Sequence, residues 1–370
     1  MNRFGTIVLV AACGVVTVAS ILLVARWERP QTEQRGYRGL AVVQVNSPAT
    51  LQAQDDINRF PKPLKRPTAT SGTLASDAYE NVQVLGDLTQ AQFTRLMLSI
   101  KSWVAPQEGC DYCHAAPDYA SDNKYAKRVA RQMLKMVRHI NADWKSHVGE
   151  TGVVCYTCHR GHPQPPRFWY AVPAEDRDGA MVRKPAQRMP TPTARMTALP
   201  RDPLSDYLLN DKDIRIVGVD PLPNGNPHKL LETRDTYALM LIMSESLGVN
   251  CTYCHNTRAF YNWDISYAPR TKAWYGIRMV RDLNRTVLEP LLGTFPPERL
   301  GPTGDVPKIY CATCHLGTFK PLKGASLLPE FPELAGPGRS EDKPAAAPVA
   351  NAGATALPAT PVVEPPVTSK

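Results

Sequence analysis

The sequence predicts a mainly α-helical protein built from two pseudo-repeated halves, and three observations carry that expectation. Four stretches read C-x-x-C-H: Cys110-Cys113-His114, Cys155-Cys158-His159, Cys251-Cys254-His255 and Cys311-Cys314-His315. The segments ahead of them recur. Leu96-Met97-Leu98 precedes the first motif as Leu239-Met240-Leu241 precedes the third, and Lys135-Met136-Val137-Arg138-His139-Ile140-Asn141 precedes the second as Arg278-Met279-Val280-Arg281-Asp282-Leu283-Asn284 precedes the fourth. Apolar residues in these leading segments return at helical spacing. Each half therefore reads helix, motif, helix, motif.

The spacing inside the motif identifies its chemistry. Two thiols on one helical turn can add to the two vinyl groups of a porphyrin, and the next histidine reaches the iron, so C-x-x-C-H is the attachment signature of c-type haem. Zinc ribbons also pair C-x-x-C, but a zinc site does not require histidine after every second cysteine. A thioredoxin-like dithiol belongs once, within a βαβ pattern that is not visible here. The fold class is thus a multihaem cytochrome c of two helix–haem–helix–haem halves with long irregular connectors. Helices this short cannot enclose a large core by themselves, so the haem faces should supply much of it.

The elements follow in chain order. Phe4 to Val24 is 21 residues without a charge, flanked by Arg3 and Arg26. As a helix it would rise about 30 Å, the thickness of a bilayer's hydrocarbon core. Residues 1–26 are read as an uncleaved membrane anchor, a transmembrane helix. The alternative is a lipoprotein signal, because Val10-Ala-Ala-Cys13 looks like a lipobox with Cys13 lipidated; most of the apolar run follows Cys13, though, and would survive cleavage. Either way the body is exported.

Residues 27–86 are polar and Pro-dotted, an N-terminal arm. Residues 87–162 form the half that carries haems 1 and 2. Asp87-Leu-Thr-Gln90 resembles a capping box for a helix over about 89–103, and residues 124–145 show helical spacing at Met133, Met136, Val137, Ile140 and Trp144. Residues 163–230 hold nine prolines by Pro203 and read as an extended connector that wraps rather than folds alone. Residues 231–334 form the second half, with helices over Thr233 to Leu247, ended by Gly248, and over 271–289. Residues 335–370 are an Ala/Pro-rich tail too poor in apolar surface to order itself.

Composition excludes one class of partner. Lys+Arg exceed Asp+Glu by 43 to 34, giving +9, but four haems bring eight propionates and leave roughly +1 before the irons are counted. No nucleic-acid-binding pattern appears, so the basic balance is haem compensation.

Each iron needs a sixth ligand or an open site, and that choice separates carrier from enzyme. A methionine on the helix upstream of its own motif is the simplest donor. Met97 and Met240 stand 13 and 11 residues before their motifs and coincide in the repeat. For the second haem either Met133 or Met136 could serve. Met136 repeats as Met279, whereas Met133 repeats as Gly276. A ligand at the repeated position should appear in both halves, so Met136 and Met279 are better read as core and Met133 as the ligand. The fourth haem must then take a donor from elsewhere, and the spare histidines are His139, His147, His162 and His228. Of these, His147 lies 14 residues after Met133, about 21 Å along a continuing helix, which would tie the two halves together.

With these features the chain resembles the tetrahaem cytochrome c subunit of the bacterial photosynthetic reaction centre. The resemblance covers about residues 75–335 and rests on ARQMLKMVRHINADWKSHVGETGVVCYTCHRG, LMLIMSESLGVNCTYCHN and WYGIRMVRDLN. It implies His/Met ligation at three haems, through Met97, Met133 and Met240, and bis-His ligation at the fourth, through His147. It implies a row of haems in the spatial order third, fourth, second, first, with the third nearest the special pair and Arg270 beside the third. The implied function is periplasmic electron transfer on the photosynthetic inner membrane, re-reducing the photo-oxidised special pair. The implied partners are the L and M subunits and a soluble donor, a cytochrome c or a high-potential iron–sulfur protein. No catalytic nucleophile or acid–base pair is evident, so the chain is expected not to be an enzyme. The alternatives are a membrane-anchored tetrahaem quinol dehydrogenase or another multihaem redox enzyme; the latter needs an open iron, and every motif here has a credible sixth ligand.

Overall fold

The structure is a computed structural model and describes residues 3–25, 29–37, 39–66, 71–173, 199–200, 202–216, 228 and 230–336. In chain order its elements are α1 (Arg3–Ala25), β1 (Gln31–Gln34), β2 (Val43–Asn46), α2 (Pro48–Ile57), α3 (Ala75–Ala78), α4 (Gln90–Val104), α5 (Tyr125–Asp143), α6 (Lys145–Val148), α7 (Cys155–His159), α8 (Leu230–Leu247), α9 (Pro269–Leu283) and α10 (Cys311–His315). Most of the expected connector and the tail beyond residue 336 lie outside the described residues.

The mainly α expectation holds, with each long helix starting within three residues of its expected start; α9 ends at Leu283, six residues before the expected end, and a π-helical turn over Asn284–Leu288 follows it. The α4 cap sits two residues later than expected. Thr89 is the cap, its hydroxyl accepting from the Gln92 amide while the Gln92 side chain accepts from the Thr89 amide; the reciprocal pair satisfies two orphan donors of the first turn. Gly248 ends α8 at φ +62. A β-carbon there would stand 1.9 Å from the Gly317 carbonyl oxygen, so glycine is required by close approach as well as by backbone sign.

The polar arm is more ordered than expected. β1 and β2 pair antiparallel, Gln31 opposite Asn46, and Ser47 caps α2 with Pro48 in its first turn. The arm straps the third C-x-x-C-H turn: Thr252 Oγ1 donates to the Arg35 carbonyl at 3.1 Å and accepts from the Val42 amide at 3.1 Å. Asn58 reaches further, donating to the Leu316 carbonyl at 3.2 Å.

The expected anchor falls on α1, 23 residues long, whose side chains are described from Ala11 to Leu22 and are exposed. Among the described residues no helix is long and apolar enough to cross a membrane.

One apolar cluster joins α4, α5, α8 and α9, with Leu96, Val137, Ile140, Leu239 and Leu283 buried in it. The segment after α10 returns to seal it. Phe331 packs edge-on against Trp103 at 4.7 Å, and Leu334 is fully buried.

Candidate haem sites

The four C-x-x-C-H turns are of two kinds. The second and fourth, α7 and α10, are single helical turns opened by a threonine: Thr157 Oγ1 accepts from the Val154 amide at 3.0 Å, and Thr313 Oγ1 from the Tyr310 amide at 3.0 Å. Both close through left-handed residues, Arg160 (φ +52) with Gly161 and Leu316 (φ +48) with Gly317. The first and third, at Gly109–Tyr112 and Cys251–Tyr253, are tighter 3-10 turns. Their histidines lie against an aromatic ring, His114 on Tyr119 and His255 on Phe260, each 5.4 Å between centroids.

All four histidines are held in one tautomer. Nδ1 donates to a backbone carbonyl in each: His114 to Tyr119 at 3.0 Å, His159 to His162 at 2.9 Å, His255 to Phe260 at 2.8 Å and His315 to Thr318 at 2.9 Å. A carbonyl oxygen can only accept, so Nε2 is left with its lone pair for a metal. Burial pushes His159, His255 and His315 towards the neutral ligating form, His315 down to about 4 with His147 adding to the effect. Burial also pushes the Cys155 and Cys311 thiols up to about 12.

The spare histidines separate on the same test. His139 has both ring nitrogens on carboxylates, Asp143 and Asp282, each at 2.6 Å. His228 Nδ1 meets Glu232 at 3.0 Å. His147 behaves as the motif histidines do, donating from Nδ1 to the Lys272 carbonyl at 2.8 Å. Its ring centroid stands 6.1 Å from that of His315. Two imidazoles bonded through about 2 Å to one metal ion would set their centroids about 6 Å apart. This pair is therefore spaced to hold one ion between the two rings, and the chain's residues fit the haem that the motif implies.

One buried asparagine each positions the second and fourth turns, Asn141 on α5 and Asn284 directly after α9. Asn141 accepts from the Val153 amide at 2.7 Å and donates to the Val153 carbonyl at 2.9 Å. Asn284 does the same to Ile309, at 2.9 and 3.0 Å. Each clamp grips the residue two before the first cysteine of its motif. Sequence reading missed both as working residues. The signal was present, because both quoted repeat segments end in asparagine, a residue poorly suited to a helix interior.

A cavity of about 1110 Å³ is lined by Cys110, Cys113 and His114, by Cys155, Cys158 and His159, and by Cys311, Cys314 and His315. Met97, Met133 and His147 line it too. Of the third motif, Tyr253 lines it, whereas Cys251, Cys254, His255 and Met240 do not. Met97, Met133 and Met240 are half-buried at the edge of the main cluster, whereas Met136 and Met279 are buried within it. Cys13 is exposed on α1. Arg270 donates to the Tyr261 and Asn262 carbonyls at 3.2 and 2.7 Å and stacks over Trp263 at 4.0 Å. Its charge acts on both Cys254 and His255.

Residues 27–335 match the family described as the photosynthetic reaction centre cytochrome C subunit. Three relatives named photosynthetic reaction center cytochrome c subunit match most of the chain. That of Rubrivivax gelatinosus is 45% identical over 86% of this chain and 88% of its own. That of Thermochromatium tepidum is 42% identical over 86% and 79%, and that of Roseobacter denitrificans 37% identical over 90% and 94%.

Proposed function

Because the chain belongs to the family of photosynthetic reaction centre cytochrome c subunits, we propose that it carries four covalently bound haems and re-reduces the photo-oxidised special pair with electrons from a soluble donor. It is an electron-transfer subunit rather than an enzyme. The eight motif cysteines hold the haems, and His114, His159, His255 and His315 are the proximal ligands. Met97, Met133 and Met240 complete the first three sites, and His147 the fourth. Haem, when bound, supplies a one-electron iron couple whose potential rises with a methionine ligand and falls with a second histidine.

The packing order of the helices carries this reading. α8 packs on α10, α10 on α7, and α7 on α4. Gly317 N donates to the Ser246 carbonyl at 2.9 Å across the first contact, and Gly161 N to the Trp103 carbonyl at 2.8 Å across the last. Read by motif, the order is third, fourth, second, first, the row that the resemblance implies. The two recurrent turn types and the paired asparagine clamps support a body of two repeated halves.

Phe260, Tyr261 and Trp263 form an exposed aromatic group beside the third motif. Exposed aromatics are characteristic of docking surfaces, which supports that end as the one facing the L and M subunits on the periplasmic side. We take residues 1–26 as the membrane anchor on the strength of the sequence, since the uncharged run Phe4 to Val24 would rise about 30 Å as a helix; a lipid on Cys13 is the alternative. Mass spectrometry of protein extracted from membranes decides both points. Four haem adducts on an intact N-terminus are expected, and fewer than four adducts would sink the proposal.

A further inference from the structure

The carbonyl that receives His114 Nδ1 has a second donor. Lys127, only 9% exposed, sends its ammonium to the carbonyls of Tyr119, Ala120 and Ser121 at 2.8, 2.7 and 3.0 Å. Tyr119 O thus accepts from both the imidazole and a buried cation. One oxygen atom separates the ammonium from the ring nitrogen.

The arrangement is peculiar to the first site. Among the described residues, no side-chain cation bonds the acceptor carbonyl of His159, His255 or His315. Aligning Met136 with Met279 pairs Lys127 with Arg270, but Arg270 grips Tyr261 and Asn262 and leaves the Phe260 carbonyl to His255 alone.

An imidazole that donates to a strong acceptor gains imidazolate character and favours the oxidised metal. An ammonium on that same oxygen drains its electron density, weakens the pull on the ring proton and adds positive charge nearby; both effects favour the reduced metal. We propose that Lys127 raises the potential of the first haem by acting through the Tyr119 carbonyl on His114, as a positioning residue. This rests on His114 being a haem ligand.

The local charge balance supplies a control of opposite sign. Asp122 pairs with Lys127 at 3.5 Å and with Arg131 at 2.7 Å, and the Arg131 bond holds its carboxyl at about 2. Two cations share one carboxylate, so the cluster carries net positive charge, and neutralising Asp122 makes it more positive.

The experiment is a redox titration of the protein in native membranes, with the first haem's wave identified as the one that Met97→His drags down. Lys127→Met and Lys127→Gln are each expected to lower that wave by about a tenfold change in the oxidised-to-reduced ratio, about 59 mV for one electron. Lys127→Arg should leave it near its parent position, Asp122→Asn should raise it, and the other three waves should stay. Should Lys127→Met lose the haem, the sign of the Asp122→Asn shift decides. An unmoved wave in a Lys127→Met protein that keeps four haems would overturn the inference, as would a downward shift in Asp122→Asn. A Met97→His protein in which no wave moves would instead overturn the ligand reading beneath it.

Discussion

The imidazole of His147 lies against the bare Cα of Gly276. A β-carbon built at Gly276 would stand 2.6 Å from Cε1 and 2.9 Å from Nδ1 of that ring, closer than any carbon contact tolerates. The space that a larger side chain would fill at Gly276 is thus taken by the His147 ring, which supports the proposed ligation, in which Met133 serves the second site and His147 on α6 the fourth. Gly276→Ala should therefore dislodge His147 while leaving the covalent haem count at four. The expected readout is loss of the lowest-potential wave, or its upward shift, in an optical redox titration. An unchanged wave would separate Gly276 from the ligand.

The ligand set has a second consequence. Exchanging methionine for histidine lowers a haem's potential, and the reverse raises it. His147→Met should bring the fourth wave up towards the other three, and Met240→His should drag one high wave down. Titrating the two variants separately checks that different waves respond.

Asn141 and Asn284 each hold one backbone amide and two backbone carbonyls, and they are almost fully buried. Replacing either with leucine strands buried groups at roughly 1–3 kcal/mol apiece. Thermal unfolding should begin several degrees earlier in both variants. Haem attachment at the second motif should suffer in Asn141→Leu, and at the fourth in Asn284→Leu, read by mass spectrometry of haem peptides.

Stability should depend on pH through His139. Its hydrogen bond with Asp282 holds the imidazole above its ordinary value, with Asp143 adding to the effect. Burial alone would push Asp282 up, but the bonds from His139 and Trp144 outweigh it and keep the carboxyl low. For the raised histidine, the contribution is complete below about pH 6.5 and is lost as pH climbs through the raised value. For the lowered carboxyl, it is complete above about pH 3.9 and is lost as pH falls through the lowered value. The stabilisation from this pair should thus be constant from about 4 to 6.5 and decline on the alkaline side, so the gap in melting temperature between the parent and His139→Gln should narrow as pH climbs through the raised histidine value.

Much of this was legible in the residues. Motif spacing identified the attachment chemistry, and the recurring methionine blocks anticipated the four long helices of the body, because both are local in sequence. What lay hidden was what one segment does to another. His139 and Asp282 stand at matching positions of the two recurring sequence blocks, and pattern reading sees only that they differ; the fold shows them bonded to each other. The β1–β2 pair was missed because β1 is wholly polar and the apolar–polar alternation of β2, Val43–Asn46, runs for only four residues. Asp87 looked like the α4 cap by residue type, but the reciprocal bonds run between Thr89 and Gln92. Lys127 gave no sign at all, since its three hydrogen-bond acceptors are backbone carbonyls.

The most direct test of the central claim is flash spectroscopy on native membranes poised so that only the higher-potential haems are reduced. A haem α-band should bleach with the same time course as the special pair recovers, and Met240→His should slow that phase or shift its potential dependence, identifying the third haem as the immediate donor. If the special pair recovers while every haem stays reduced, the chain does not deliver electrons to the reaction centre and the account fails.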